Sequence, residues 1–384
     1  MNFFQKKLAK GDFFKTLKFI ASDVFQSKAV KMVLILLFLI HAIIYLLTIY
    51  FLLYVLEPKQ FVNYATVFFA EFYPMLAILT VILKGKIIEN LTDEIKIWAI
   101  ENASKNLQSE INLKIKIITT FVIVNTLIAV SGGFLYMHPL PEDVNLFFAL
   151  RLIRDYFPNH YTSLEFFYRM SFPIFAYLMT THANQFLYYT QHINFQIKMF
   201  REVCLEVKAW KTVSPFENHL FYNKKYQTEI EQRLKFCIKR SQEFVKISVY
   251  KNKEIASFIP GFAICGLLLG VGLVFFLSNG KITWEYYLRM GFTSLGGVTT
   301  FLALVWTGQT TENITSDIER AINEIRWYNF NQSNKKMYLI LVMNTMRERK
   351  IKFTEKYSVN YRLGLAIVRG IYSVISVVLS KYQH

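Results

Sequence analysis

Seven apolar segments divide this chain, at residues 32–55, 61–83, 117–137, 164–188, 258–277, 286–306 and 363–379. Each is long enough, or nearly so, to cross about 30 Å of hydrocarbon as a helix. The stretches between them alternate in charge. Those on the side of the N-terminus hold some 36 of the 44 lysines and arginines, and those on the other side hold five. Positive charge stays on the cytoplasmic side of a membrane protein. The N-terminus is therefore expected inside and, after seven crossings, the C-terminus outside. The expected fold is all-α: a seven-transmembrane helical membrane protein with a cytoplasmic helical anchor domain.

The net charge of +17 would also suit a nucleic-acid binder, but no nucleic-acid motif accompanies it. Its sorting by side fits membrane insertion, where basic residues meet anionic lipid. The N-terminal basic stretch is too long for a secretory signal, and the apolar run after it outlasts a signal core. Of three cysteines, Cys204 and Cys237 fall in an inner loop and Cys265 within the fifth segment, so no outer disulfide is expected. The glycosylation sequons at Asn90, Asn102, Asn313 and Asn331 all fall inside and are expected to stay unmodified. No metalloprotease, nucleotide-loop or serine-hydrolase motif is present. No enzymatic activity, cofactor or metal is expected.

The organisation follows the segments. Residues 1–31 form a cytoplasmic N-terminal segment with alternating aromatic and basic positions, in the manner of an interfacial helix. Residues 32–190 carry the first four spans, with a long apolar outer loop at 138–163 that folds back over the bundle mouth or lies against lipid headgroups. Residues 191–257 form a cytoplasmic helical extension, whose Ile230, Leu234, Cys237, Ile238 and Phe244 approximate one helical stripe. Spans five and six occupy 258–307. Anchor helices follow at 308–354, with a cap at Ser316 and a short buried helix over Met337–Met343. Residues 355–384 hold the seventh helix.

Glu71 is the most notable charge inside a span and needs a partner, water or protonation. Arg369 is the other. His41 and His182 read as buried hydrogen-bonding residues rather than ligands. Aromatic and sulfur-bearing residues gather towards the outer ends of the spans: Phe69, Phe72 and Tyr73 in the second; Phe134 and Tyr136 in the third; Phe166, Phe167 and Met170 in the fourth; Tyr287 and Met290 in the sixth. Such residues build apolar ligand pockets, and they equally populate aromatic belts. The last helix carries Tyr372, Ser373, Ser376 and Ser380 close to helical spacing, with Leu379 beside them. A hydroxyl stripe on an apolar helix suits a pore lining or helix packing through small residues.

The chain resembles the insect odorant receptor family. The resemblance rests on Gly308-Gln309, Ser316, Ala321 and Trp327, on Lys336, Leu339, Met343 and Arg347, and on Tyr372-Ser373 in the terminal helix; the stretch from Leu234 to Phe244 adds to it. The chain departs from the family at Asn323, where a tyrosine is usual, after Arg347, where a proline often follows, and at Ser241, where a histidine is common. It lacks both the Thr-Tyr…Gln-Phe ending of gustatory relatives and the inner-loop insertion of the odorant co-receptor. The resemblance therefore implies a divergent tuning subunit in the plasma membrane of olfactory sensory neurons. It implies a heterotetramer with the co-receptor, gated by a small volatile organic ligand, passing cations, and lined near its outer end by Tyr372, Ser373, Ser376, Leu379 and Ser380. A G-protein-coupled receptor would need the opposite orientation. A secondary transporter would need repeats that this chain does not show.

Overall fold

The computed structural model describes residues 6–55, 58–84, 96–208, 217–256, 259–278, 283–346, 350–352 and 357–382. Among them every long element is a helix, and pairing of extended chain is confined to two isolated bridges, Leu8 with Trp98 and Lys352 with Ser358. The helices are α1 (Lys15–Ala21), α2 (Lys28–Tyr54), α3 (Pro58–Lys84), α4 (Lys105–Leu135), α5 (Asp143–Leu146), α6 (Phe148–Tyr156), α7 (Tyr161–Arg169), α8 (Ser171–Lys208), α9 (Lys224–Ala256), α10 (Ile259–Ser278), α11 (Trp284–Asn323), α12 (Gln332–Thr345) and α13 (Tyr361–Tyr382).

Four stretches are long and apolar enough to cross a membrane: Lys28–Tyr54, Tyr64–Leu83, Lys105–Leu135 and Trp284–Asn323, with a shorter apolar helix at Pro260–Gly272. Helix α2 shows what this composition means. Its buried residues are Leu34, His41 and Thr48, which recur every seventh position on one narrow stripe. Leu36, Leu39, Ile43, Leu46 and Leu47 are exposed. A helix apolar on all sides with one thin packed stripe suits lipid rather than water.

The main core lies at the opposite end of the molecule from residues 138–163. There α8, α9, α11 and α12 pack with α1 and the start of α4, burying Phe14, Leu17, Phe195, Phe200, Cys204, Ile318, Ile322 and Leu341. The stripe read from sequence on α9 is part of this core: Ile230, Leu234, Cys237 and Phe244 are fully buried.

Four expectations need correction. Segment 164–188 is not one helix. It breaks at Met170, between α7 and α8, because Pro173 cannot donate a bond to the Arg169 carbonyl and its ring would collide there. Ser171 Oγ instead donates to the Tyr168 carbonyl at 2.6 Å. Ser316 caps nothing: α11 runs unbroken past it, and its hydroxyl bonds back to the Glu312 carbonyl. Helix α12 is buried on one side only, since Leu339, Ile340 and Met343 are exposed. The N-terminal segment packs inward, with Phe14 stacked on Phe195 and Lys7 hydrogen-bonded to Asn102 Oδ1 at 2.9 Å. Asn102, one of the sequons, is thereby buried.

Two contacts set the geometry at each end of the bundle. A Cβ added at Gly133 would sit 2.6 Å from Pro173 Cα, so α4 crosses α8 at the break with no room for a side chain. A Cβ at Gly308 would sit 2.0 Å from the Val359 carbonyl oxygen, where the chain turns into α13. Beside that contact Glu312 accepts from Ser358 Oγ at 2.7 Å and from Asn360 Nδ2 at 3.2 Å, while Asn360 Oδ1 caps α13 through the Leu363 N–H. Gly308→Ala should therefore cost about 1–3 kcal/mol by overpacking, seen as a lower melting temperature of the solubilised protein.

Asp12 ties the N-terminal segment to α8. It accepts from Tyr188 Oη, from His192 Nε2 at 2.9 Å and from the Phe14 N–H. Burial pushes its carboxyl up, but the bonds to His192 and Tyr188 outweigh it and hold its pKa below the ordinary value. A lowered carboxylate contributes stability that is fully present above about pH 3.9 and is lost as pH falls through the folded value. Asp12→Asn should flatten that acid limb in melting curves taken against pH.

Candidate ligand site and pore helix

The end of the bundle that carries residues 138–163 is held by buried charge. Asp143 is fully buried. Its carboxylate accepts from Arg169 Nη2 at 2.7 Å, from Arg289 Nη1 at 3.0 Å, from the Leu140 N–H at 2.9 Å and from Tyr286 Oη. Arg169 also bonds the Tyr136 carbonyl and Glu165, and Arg289 bonds the His138 carbonyl. Two carboxylates and two guanidiniums thus neutralise one another and satisfy two backbone carbonyls. They bind the end of α4, α5, α7 and the start of α11 together. Phe147, Phe148, Ala149 and Leu150 are buried beneath this latch.

A small cavity of about 10 Å³ lies beside it, lined by Thr48, Tyr64, Val67, Phe68, Glu71, Phe148, Ala149 and Tyr168. It has room for one water at most. On its floor Glu71 finds the partner that an intramembrane carboxylate requires. Its Oε1 lies 2.5 Å from His41 Nδ1, and His41 Nε2 lies 3.1 Å from Ser171 Oγ. The His41 ring is enclosed by Tyr168, stacked at 5.3 Å, and Phe175, edge-on at 4.4 Å.

The ten residues singled out from sequence divide into groups. On α3, Tyr73 is buried, donates to the Met179 carbonyl at 3.2 Å and packs on Phe262. Phe69 meets Phe68 edge-on, and Phe72 is tilted towards Tyr45. Tyr136 and Met290 meet each other, the tyrosine hydroxyl 3.1 Å from Sδ, under the Asp143 latch. Phe72, Phe134, Phe166, Phe167, Met170 and Tyr287 are exposed; Phe167 is 70% exposed. None of the ten lines the cavity. Sequence reading missed Thr48, Tyr64, Phe148, Ala149 and Tyr168. It also missed Arg169 and Arg289, although two arginines inside apolar segments are themselves a signal that a carboxylate must face them.

Helix α13 packs on α10 and α11 along one side. Tyr372, Ser373 and Ser376 are exposed on the other. Each serine donates within the helix, Ser373 to the Arg369 carbonyl at 2.9 Å and Ser376 to the Tyr372 carbonyl at 3.0 Å. The oxygens keep lone pairs for water or an ion, and no donor is left unpaired in an apolar setting. Arg369 is exposed on this helix. The side chains of Leu379 and Ser380 lie outside the described residues.

No protein-family model matches this sequence, nor does any curated protein sequence. Among the solved structures that match are two of one receptor. They are the insect olfactory receptor OR5 from Machilis hrabei in complex with eugenol, and the same receptor described without it, both with a TM-score of 0.69. Identity is 10% and 9%. The match covers 91% and 92% of this chain, and 88% and 89% of theirs. This chain has the fold of an insect olfactory receptor. The olfactory-receptor fold is all-α with several spans.

Asp143→Asn should destabilise the protein by about 3–5 kcal/mol, because it leaves two buried guanidiniums short of an anion. The check is thermal denaturation together with surface expression, beside Asp155→Asn as the exposed control.

Proposed function

We propose that this protein is the odorant-binding subunit of a ligand-gated, non-selective cation channel. It works as a tuning subunit, assembled with an odorant co-receptor in a tetramer, in the plasma membrane of olfactory sensory neurons. Seven spans are assigned, with the N-terminus inside and the C-terminus outside. The observation that carries this reading is the olfactory-receptor fold over nine-tenths of the chain, ending in a helix with an exposed hydroxyl-bearing face.

Odorant binds in the outer half of the subunit, against Phe69, Phe72, Tyr73, Tyr136 and Met290, with Phe134, Phe166, Phe167, Met170 and Tyr287 at the lipid-facing approach. Tyr372, Ser373, Ser376, Leu379 and Ser380 line the pore. The exposed side of α12 is assigned to contact with neighbouring subunits. The cavity beside Phe69, lined by its edge-on neighbour Phe68, is about 10 Å³ and admits no odorant, so binding there requires an enlarged state. A ligand that fits only the enlarged state has the differential affinity that opening demands, which tight binding to both states would lack.

Recording against an odorant panel, with and without the co-receptor, tests the assignment. Currents should appear only on co-expression. Tyr73→Ala should shift the half-maximal dose by about tenfold, the loss of one well-packed ring, and leave the reversal potential unchanged. An unaltered dose dependence would remove Tyr73 from the site.

A further inference from the structure

The His41–Glu71 pair can be read proton by proton. The Ser171 hydroxyl hydrogen is committed to the Tyr168 carbonyl at 2.6 Å. At His41 Nε2, 3.1 Å away, Ser171 can therefore only accept, and Nε2 carries a hydrogen. The other ring nitrogen, Nδ1, faces Glu71 Oε1 at 2.5 Å. Two lone pairs at that distance would repel, so one further proton lies between them. Whichever atom holds it, the pair is neutral overall.

Glu71 also lines the cavity, among the rings of Tyr64, Phe68, Phe148 and Tyr168. Aromatic faces are electron-rich and attract cations. Among the described residues no lysine or arginine lines the space. Arg151 reaches the Tyr64 hydroxyl at 3.0 Å, but it is half-exposed and paired with Asp155 at 3.5 Å. The lining therefore offers a carboxylate, π faces and one shared proton.

We propose that this cavity, once enlarged, takes a small volatile amine, which enters uncharged and receives the proton held between His41 and Glu71. One N–H bond forms on the amine nitrogen as the proton leaves the pair. The products are an ammonium ion, the Glu71 carboxylate and a neutral His41 still donating through Nε2 to Ser171. Charge within the site is unchanged, so no bare ion is taken out of water, which would be costly. A carboxylic acid would bring a second anion beside Glu71, and an alcohol cannot take the proton. With Nδ1 stripped, its contact with Glu71 turns repulsive and the side-chain link between α2 and α3 is lost. That consequence for gating rests on the channel reading; the binding does not.

The test uses the purified full-length protein in lipid nanodiscs, with melting temperature read against phenethylamine, phenethyl alcohol and phenylacetic acid. A ligand bound to the folded state raises that temperature. Counted by its uncharged form, phenethylamine should bind about tenfold more tightly than the alcohol, as a charge-assisted bond outweighs a neutral one, and the acid should produce no shift. Because the free amine is an ammonium ion in neutral buffer and enters uncharged, one proton is released. Its apparent affinity should rise about tenfold per pH unit through the range around pH 6–7. The other titratable groups facing the pair are Tyr45 and Tyr168, whose ordinary values lie higher, with Arg169 and Asp143 locked in the latch. Glu71→Gln should bring amine and alcohol within about threefold of each other. If that variant does not fold, the wild-type ranking and pH slope still decide. An amine no tighter than the alcohol, or an affinity indifferent to pH, overturns the proposal. Amine binding without any evoked current would count against the channel reading and support the amine site; odorant-evoked currents without amine preference would do the reverse.

Discussion

Helices α8 and α11 pack on one another through both halves of the molecule, and the other elements are arranged about that pair. At 38 and 40 residues they extend about 57–60 Å at 1.5 Å per residue, roughly twice a hydrocarbon layer. Their apolar halves join the bundle, and their far halves supply Phe195, Phe200, Ile314, Ile318 and Ile322 to the main core. The beginning of α11 holds Arg289 and Met290 in the latch, and its middle holds Gly308 against the start of α13.

Within the bundle, apolar burial cannot hold helices together, because lipid is as apolar as the side chains it would displace. Close backbone approach and interhelical hydrogen bonds take that role. Gly133 admits Pro173, and Gly272 gives its carbonyl to Thr66 at 2.9 Å. Asn125 bonds both Thr299 and Thr300, and His182 bonds Thr80 at 2.6 Å. The pairing of His41 with Glu71 belongs to this class, and Glu71 also lines the cavity. A group that both ties two helices and lines an empty space is positioned to exchange one partner for another.

Much of the architecture was legible because it is a local property. An apolar run long enough to span declares itself in any window. Among the described residues four of the seven segments lie in helices long and apolar enough to cross a membrane, while the fourth in chain order is broken at Met170. The α9 stripe was legible for the same reason, since a helix between water and core must be apolar on one side only. His41 and His182 were read as hydrogen-bonding residues because a lone imidazole in an apolar segment has few other ways to satisfy its nitrogens. The break at Met170 was missed although Pro173 stood in view, because hydropathy does not register a missing N–H.

By itself the sequence determined where most of the long helices lie, how charge is sorted between them, and that Glu71 needs a partner, water or protonation. Only the tertiary structure decided that the partner is His41, that Asp143 gathers two arginines, and that Tyr73, Tyr136 and Met290 face inward while Phe134 and Phe167 face out. The reason is physical. A helix set between protein and lipid is apolar on both faces, so its periodicity cannot tell inside from outside, and the direction of each ring is fixed only by which helices pack beside it.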